Sequence, residues 1–250
     1  MSEFILADIG DSWSAYPKAL GTGGGLGDHL IQLTGGRLLN ISRDGDPSEE
    51  TMGLKNITRL RDTLAEKPNA ILITSGGDDF AGDQFRLALN KNVNGDITRA
   101  VNQIWFDAAL SEIVADYQML KDERDAISPT TLIISQSYGF PPPEMMGVGV
   151  KILGITLDGP WLQPGFVDRG WTKPEDQAAI IKEMLLELEV DLAFFAARDP
   201  LHLHVNLQSV LQPEHFANEL HLNDPGWTLA AETINERMLP WLNSLAVQGL

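Results

Sequence analysis

The chain has 250 residues, enough for one large α/β domain that buries a substantial core without cross-links. Its formal net charge of -17 argues against nucleic acid or an anionic membrane surface as a partner. The absence of cysteine excludes disulfides, thiol nucleophiles and cysteine-ligated zinc. No apolar stretch approaches the ~20 residues of a membrane-spanning helix, and the amino terminus lacks a signal-peptide pattern. We therefore expect a cytoplasmic protein.

Short apolar runs alternate with helical patterns along most of the chain. The runs that predict strands are Phe4–Ile9, Arg37–Ser42, Ala70–Ser75, Thr130–Gln136 and Val190–Ala196, followed by the strictly alternating segment Leu201–Leu207. Helices are predicted at 28–33, from 46 to about 65, over most of 81–126 with a break at Asn92–Asp96, from 172 to about 189, and from 224 to about 245. This alternation predicts a flavodoxin-like, doubly wound parallel sheet of about five strands in a three-layer α/β/α sandwich.

One segment, residues 137–170, interrupts this alternation because it is rich in glycine, proline and aromatic residues. It is expected to be a long functional loop. The chain contains no internal repeat and no linker long enough to separate domains, so residues 1–250 are expected to form a single domain with this loop as an insertion. The sequence does not specify an oligomeric state.

A serine follows the first predicted strand directly, where the active site of an open parallel sheet is expected. This residue, Ser12, would need a base to activate it and donors to bind the developing oxyanion. Gly45 and Gly77 follow the second and third predicted strands, where a bare backbone N–H can approach a ligand. One histidine, His221, lies shortly before the last predicted helix.

Four ordered motifs resemble the blocks of the SGNH, or GDSL, hydrolase family. They are Gly10-Asp11-Ser12, Gly45, Gly76-Gly77-Asp78-Asp79 and Asn218-Glu219-Leu220-His221. The resemblance implies the SGNH hydrolase fold and hydrolysis of acyl esters, acetyl esters included, with Ser12 as nucleophile and His221 as base. It further implies that the backbone N–H groups of Ser12 and Gly45, with the side chain at 78, bind the oxyanion. No cofactor or metal is implied, and the partner is a small-molecule ester.

Two positions depart from the family pattern. Asp78 occupies the place of an asparagine, and a carboxylate there would repel the oxyanion unless it were protonated. Asn218 occupies the place of an aspartate that orients the histidine. An asparagine can fill that role, as in papain-like enzymes; otherwise Glu219, Asp199 or Asp224 would supply the acid.

Each motif also has an explanation without catalysis. Ser12 could cap a helix, residues 76–79 could form only a turn, and His221 could be a surface residue. The chain would then be a non-catalytic protein of the same fold that binds a small molecule or carbohydrate. Aromatic side chains could line its pocket: Trp13, Tyr138, Phe140 and Trp161.

A third hypothesis is a metal-dependent hydrolase. His202 and His204 share one face of the predicted strand Leu201–Leu207, a spacing that could bind zinc with Asp199 or His215 as a further ligand. The favoured interpretation of these histidines is the polar, solvent-facing side of an edge strand.

Overall fold

The computed structural model describes residues 3–18, 23–42, 52–152 and 155–248. Its strands are β1 Ile5–Gly10, β2 Arg37–Asn40, β3 Ala70–Thr74, β4 Leu132–Gln136, β5 Val150–Ile152, β6 Ile155–Asp158 and β7 His202–Val205. Five of them form one parallel sheet in the order β2-β1-β3-β4-β7. This is the flavodoxin-like order, which confirms the predicted fold class.

The α-helices are α1 Ser12–Ala15, α2 Leu26–Thr34, α3 Leu54–Ala65, α4 Gln103–Ile127, α5 Gln163–Asp168, α6 Pro174–Ala196 and α7 Asp224–Gln248. Helix α2 packs against α7, while α4 contacts both α3 and α6, so the helices form two layers. None of the helices in the described part of the chain is both long and apolar enough to cross a membrane.

The central strands are apolar because helices cover the sheet on both faces. Every residue of β3 and β4 is buried. Strand β1 is buried from Leu6 to Gly10 and includes one ionisable residue, Asp8, whose carboxyl group is fully buried in the middle of the sheet. An ionisable group at such a position is costly unless it has partners, and the carboxyl of Asp8 accepts hydrogen bonds from the side chains of Ser14 at 2.5 Å and Asn40 at 3.4 Å.

The prediction of a strand at Val190–Ala196 was wrong, because these residues form the last two turns of α6. Leu188, Leu192 and Phe195 are buried, whereas Val190 and Phe194 are 65% and 62% exposed. This spacing is helical, and a short apolar run cannot by itself distinguish a buried strand from a helix end. The fifth strand of the sheet is β7, which lies within the alternating segment Leu201–Leu207.

Two further segments differ from the sequence-based expectation. The helix predicted within 81–126 is confirmed from Gln103 onward by α4, whereas the chain before it forms short 3-10 helices at Asp78–Phe80, Gly82–Ala88 and Ile97–Arg99. The expected loop at 137–170 contains the antiparallel hairpin β5–β6 and helix α5. Gly45 and the start of the helix predicted from Asp46 lie outside the described residues.

Gly10 ends β1 with a backbone conformation that favours glycine, at a φ of 150°. A Cβ atom there would lie 1.9 Å from the carbonyl oxygen of Thr74. We therefore expect Gly10→Ala to reduce the free energy of unfolding by more than about 3 kcal/mol in urea denaturation. Gly95→Ala is the matched control: the φ of Gly95 is 72° with nothing within 4 Å of an added Cβ, and the substitution should cost only about 1–2 kcal/mol. Equal losses in the two variants would contradict the steric role of Gly10.

Candidate active site

Ser12, His221 and Asn218 meet at the carboxyl edge of the sheet. Ser12 is the first residue of α1 and follows β1 directly. Its Oγ lies 2.8 Å from Nε2 of His221, and Nδ1 of the same imidazole lies 3.1 Å from Oδ1 of Asn218. All three side chains are buried. The fold thus brings together the serine and histidine that the sequence singled out, within hydrogen-bond reach of each other.

The amide orientation of Asn218 fixes the proton on the imidazole. Its Oδ1 accepts hydrogen bonds from the backbone N–H groups of Leu220 at 2.9 Å and His221 at 2.8 Å. Only an oxygen can accept from these two donors, so Nδ1 of His221 must be the donor toward Asn218. Nε2 is then the unprotonated nitrogen and accepts from the Ser12 hydroxyl, as a general base requires.

Two aromatic rings enclose His221. The ring of Tyr16 lies 4.7 Å away in a tilted arrangement, and that of Trp161 packs edge-on at 5.3 Å between centroids. Burial lowers the pKa of His221 to about 3 from 6.5, because the charged imidazolium loses its hydration. The imidazole is therefore neutral at pH 7 and available to accept a proton.

Asp11, rather than Ser12, caps helix α1. Its Oδ1 accepts from the backbone N–H of Trp13 at 2.9 Å, and its other oxygen accepts from the hydroxyl of Tyr138. The explanation of Ser12 as a helix cap is therefore wrong, and its hydroxyl is directed to His221. The indole N–H of Trp13 donates to the carbonyl of Leu220 at 2.9 Å, which ties α1 to the loop that carries the histidine.

Two buried carboxyl groups belong to β1 and the residue position next to Ser12: Asp8 lies inside the strand and Asp11 directly precedes Ser12. Burial raises the pKa values of Asp8 and Asp11 to about 7 from 3.8, although hydrogen bonds to each group act in the opposite direction. The hydroxyl of Ser14 donates to Asp8 at 2.5 Å, and that of Thr74 donates to Ser14 at 2.9 Å. Carboxyl groups with shifted pKa values are concentrated at functional sites.

A narrow cleft with an empty volume of about 540 Å³, partly open to solvent, leads to Ser12. Three residues that were predicted to bind the substrate or the oxyanion line this cleft: Trp13, Gly77 and Asp78. Most of the remaining wall is apolar: Phe80, Tyr138, Gly139, Pro141, Leu162, Ile181, Met184, Leu185, Phe216 and Leu220. The cleft therefore suits an apolar group next to the serine.

Helix α6 contributes a wall of this cleft that was not expected from the sequence. Ile181, Met184 and Leu185 recur at the i, i+3 and i+4 spacing of one helix face, which is the signal that could have found them. That signal is obscured because the same helix also carries exposed apolar residues, Val190 and Phe194 among them.

Glu219, expected as a catalytic acid, has partners other than His221. Its carboxylate accepts from the backbone N–H groups of Gly147, Trp161, Leu162 and Gln163. Burial raises its pKa, while these four hydrogen bonds counteract the shift. The assignment of Glu219 as the acid that orients His221 is therefore corrected, because its carboxylate is occupied by four backbone donors of another segment.

The other two acids considered for that role are also engaged elsewhere. Asp199 pairs with the buried guanidinium of Arg124, and Asp224 lies 3.9 Å from Nε2 of His29. The side chain hydrogen-bonded to Nδ1 of His221 is that of Asn218.

A second group of serine and histidine side chains joins β4 and β7. Ser135 Oγ lies 2.8 Å from both Nε2 of His202 and Nδ1 of His204, whose Nε2 contacts Glu189 at 2.7 Å. Ser135 is fully buried, so an ester cannot reach it. His202 is buried as well, so the expected solvent-facing strand face was wrong at that residue.

The metal hypothesis gains no support from the same region. Nδ1 of His215 accepts from the backbone N–H of Gln212 at 2.9 Å. Within the described ranges, no group of three or more potential ligands could hold a metal ion.

No protein-family model matches this sequence, and no curated protein matches it. Solved structures do resemble it along nearly its whole length. A lipase from a goat rumen metagenome is similar at 12% identity and a TM-score of 0.55, over 94% of this chain and 97% of that one. The chain has the fold of the SGNH hydrolases.

Two other structures agree with this fold. Phospholipase A1 from Streptomyces albidoflavus NA297 is similar at 13% identity and a TM-score of 0.55, over 97% of this chain and 99% of that one. A GDSL-like lipase from Parabacteroides merdae is similar at 13% identity and a TM-score of 0.50, over 94% of this chain and 95% of that one.

The raised pKa values of Asp8 and Asp11 predict how stability depends on pH. Between about pH 4 and pH 7 each of these two groups keeps a proton in the folded state that it loses in the unfolded chain, so its contribution to the free energy of unfolding falls as pH rises through this window. The buried His202 and His221, whose pKa values are lowered to about 3, contribute in the opposite direction. We expect the free energy of unfolding of Asp8→Asn, relative to that of the wild type, to rise across the window in urea denaturation, because the variant lacks one of the two falling contributions. Asp168→Asn, which changes an exposed carboxyl, is the control. An unaltered pH dependence in Asp8→Asn would contradict the role given to Asp8.

Proposed function

We propose that this protein is a serine hydrolase of acyl esters. The observation that carries the proposal is the chain of contacts from Ser12 Oγ to His221 Nε2 at 2.8 Å and from His221 Nδ1 to Asn218 Oδ1 at 3.1 Å. A nucleophile, a base and a group that orients the base are the parts that acyl transfer through serine requires. The lipases among the structural neighbours support the same reaction class at the level of fold.

In the proposed acylation step, Ser12 Oγ attacks the carbonyl carbon of the ester while His221 Nε2 takes the hydroxyl proton. Burial disfavours the imidazolium by itself, but the negative oxyanion that forms beside it offsets this penalty. The backbone N–H of Ser12, at the first position of α1, has no acceptor within the helix and is one donor for the oxyanion. Gly45, outside the described residues, is proposed as a second donor.

Collapse of the tetrahedral intermediate breaks the bond to the leaving alcohol, which receives the proton from His221 Nε2. The acyl group is then attached to Ser12 Oγ. A water molecule attacks this ester as His221 again accepts a proton, and the carboxylic acid leaves while Ser12 recovers its hydrogen. Asn218 keeps the imidazole in the same tautomer through both steps.

The cleft and the charge of the protein indicate the class of ester. The apolar wall next to Ser12 favours an apolar acyl chain over a polar one. Asp11, Asp78 and Glu219 contribute carboxyl groups to the same cleft, and the net charge of the chain is -17. A neutral ester is therefore proposed as the substrate in preference to an anionic one.

One observation favours a second function, the binding of an apolar ligand without catalysis. Asp78 lines the cleft at the position where the family pattern has an oxyanion-binding asparagine. The loss of one oxyanion donor lowers kcat by a factor of about 10²–10³. A protein with that loss could retain the cleft as a binding site.

The first test compares the wild type with Ser12→Ala. We expect the wild type to hydrolyse p-nitrophenyl butyrate. In the variant the rate should fall by a factor of at least about 10³, because no other group replaces the nucleophile.

A fluorophosphonate probe should label the wild type and not Ser12→Ala. Ser135→Ala is the control for the buried serine and should be labelled like the wild type. Equal turnover by wild type and Ser12→Ala would contradict the proposal, and ligand binding without turnover would favour the second function.

A second test concerns the group that orients the histidine. Asn218→Ala removes the oxygen that accepts from Nδ1 of His221 and should lower kcat by about 10²–10⁴. Asn218→Asp retains that acceptor and should keep kcat within about tenfold of the wild type. Rates are to be expressed per site titrated with fluorophosphonate, so that misfolded protein does not contribute. If Asn218→Ala matched the wild type, the orienting role would be refuted.

A further inference from the structure

One carboxylate joins the loop that carries His221 to the segment 147–163, which contributes Leu162 to the cleft wall. Glu219 Oε2 accepts from the backbone N–H of Gly147 at 2.9 Å and of Gln163 at 3.4 Å. Its Oε1 accepts from the N–H of Leu162 at 2.5 Å and from that of Trp161. The donors belong to both sides of the hairpin β5–β6, so a single side chain holds the two ends of the 147–163 segment together.

The main chain supports the same junction. The backbone N–H of Glu219 donates to the carbonyl of Val148 at 3.3 Å. Glu219 itself is only 1% exposed. A carboxylate with several backbone donors in a buried place has little freedom to move, and its removal leaves several polar groups unsatisfied.

The two residues held most directly have different places in the site. Trp161 packs edge-on against the imidazole of His221, at 5.3 Å between ring centroids. Leu162 is 2% exposed and forms part of the apolar wall of the cleft next to Ser12. The position of Glu219 therefore bears on both the base and the surface that an acyl chain would contact.

We propose that Glu219 is a positioning residue that sets acyl-chain selectivity by holding Trp161 and Leu162 against the catalytic site. The proposal rests on the function proposed above and adds to it a determinant of specificity. Without the carboxylate, the segment 147–163 loses its common anchor, and the wall at Leu162 no longer has a fixed distance from Ser12. A long acyl chain, which touches that wall, then loses more binding energy in the transition state than an acetyl group does.

The test uses a ratio of two substrates, because a ratio does not depend on the fraction of folded enzyme. For each variant, kcat/KM is measured with p-nitrophenyl octanoate and with p-nitrophenyl acetate. We expect the octanoate-to-acetate ratio of Glu219→Gln to fall about tenfold below that of the wild type. Glu219→Asp, which keeps the charge but has a shorter reach, should have an intermediate ratio. Glu214→Gln changes an exposed glutamate of the preceding 3-10 helix Pro213–His215; it is the matched control and should keep the wild-type ratio.

Hydrogen–deuterium exchange tests the anchor independently of turnover. In Glu219→Gln we expect faster exchange in peptides covering 147–163 than in the wild type, with the sheet unchanged. A lowered ratio together with faster local exchange supports the proposal. Equal loss of activity on both substrates, or exchange in 147–163 like that of the wild type, overturns it. If the wild type had no Ser12-dependent turnover, the proposed function would fail. The exchange experiment would still test the anchor, because faster exchange in Glu219→Gln supports it and unchanged exchange refutes it.

Discussion

The contact between Ser12 and His221 connects residues 209 positions apart, and the arrangement of the site depends on it. A single hydrogen bond contributes only about 1 kcal/mol net to the free energy of unfolding. This contact therefore cannot by itself hold together the two parts of the chain that carry Ser12 and His221. The surrounding structure fixes each partner instead. Ser12 is held because β1 ends against Thr74 in the middle of the sheet, and His221 is held because the indole of Trp13 is bonded to the neighbouring carbonyl. The site is thus organised without a ligand, which is the condition that the proposed acyl transfer requires.

This organisation has an energetic cost. Asp8 and Asp11 are buried, and their raised pKa values show that the fold stabilises the neutral forms of both groups over the charged ones. Burial of His221 has the corresponding effect on an imidazolium. Three ionisable groups with shifted pKa values lie in β1, directly after it and in the loop before α7, whereas the neighbouring strand β3 is built of buried apolar residues and Thr74. A protein selected for stability alone would not retain them, so their presence is best explained by function.

The parallel sheet could be predicted from the sequence, because strand–helix alternation is a local signal. The pairing of Ser12 with His221 was implied by the resemblance of short ordered motifs to those of the SGNH hydrolases. The role of Glu219 could not be predicted. The donors to that carboxylate come from a segment 56 to 72 residues away, and backbone N–H groups have no signature in a sequence. The end of α6 at 190–196 was predicted as a strand because its apolar residues lie on both the exposed and the buried face of the helix. This distribution removes the helical periodicity from the sequence.

Asp78 and Asn218, the two residues that depart from the SGNH family pattern, are linked by the charge of the cleft. Three N–H donors converge on Oδ1 of Asn218, and an amide oxygen satisfies them without adding charge. An aspartate would satisfy the same donors but would bring a further carboxylate toward a cleft that already contains Asp11, Asp78 and Glu219. Like charges in a confined, poorly solvated site raise one another's pKa values and disfavour ionisation. With an acid at 78, a neutral residue at 218 is therefore the arrangement that keeps the imidazole oriented at the smaller electrostatic cost.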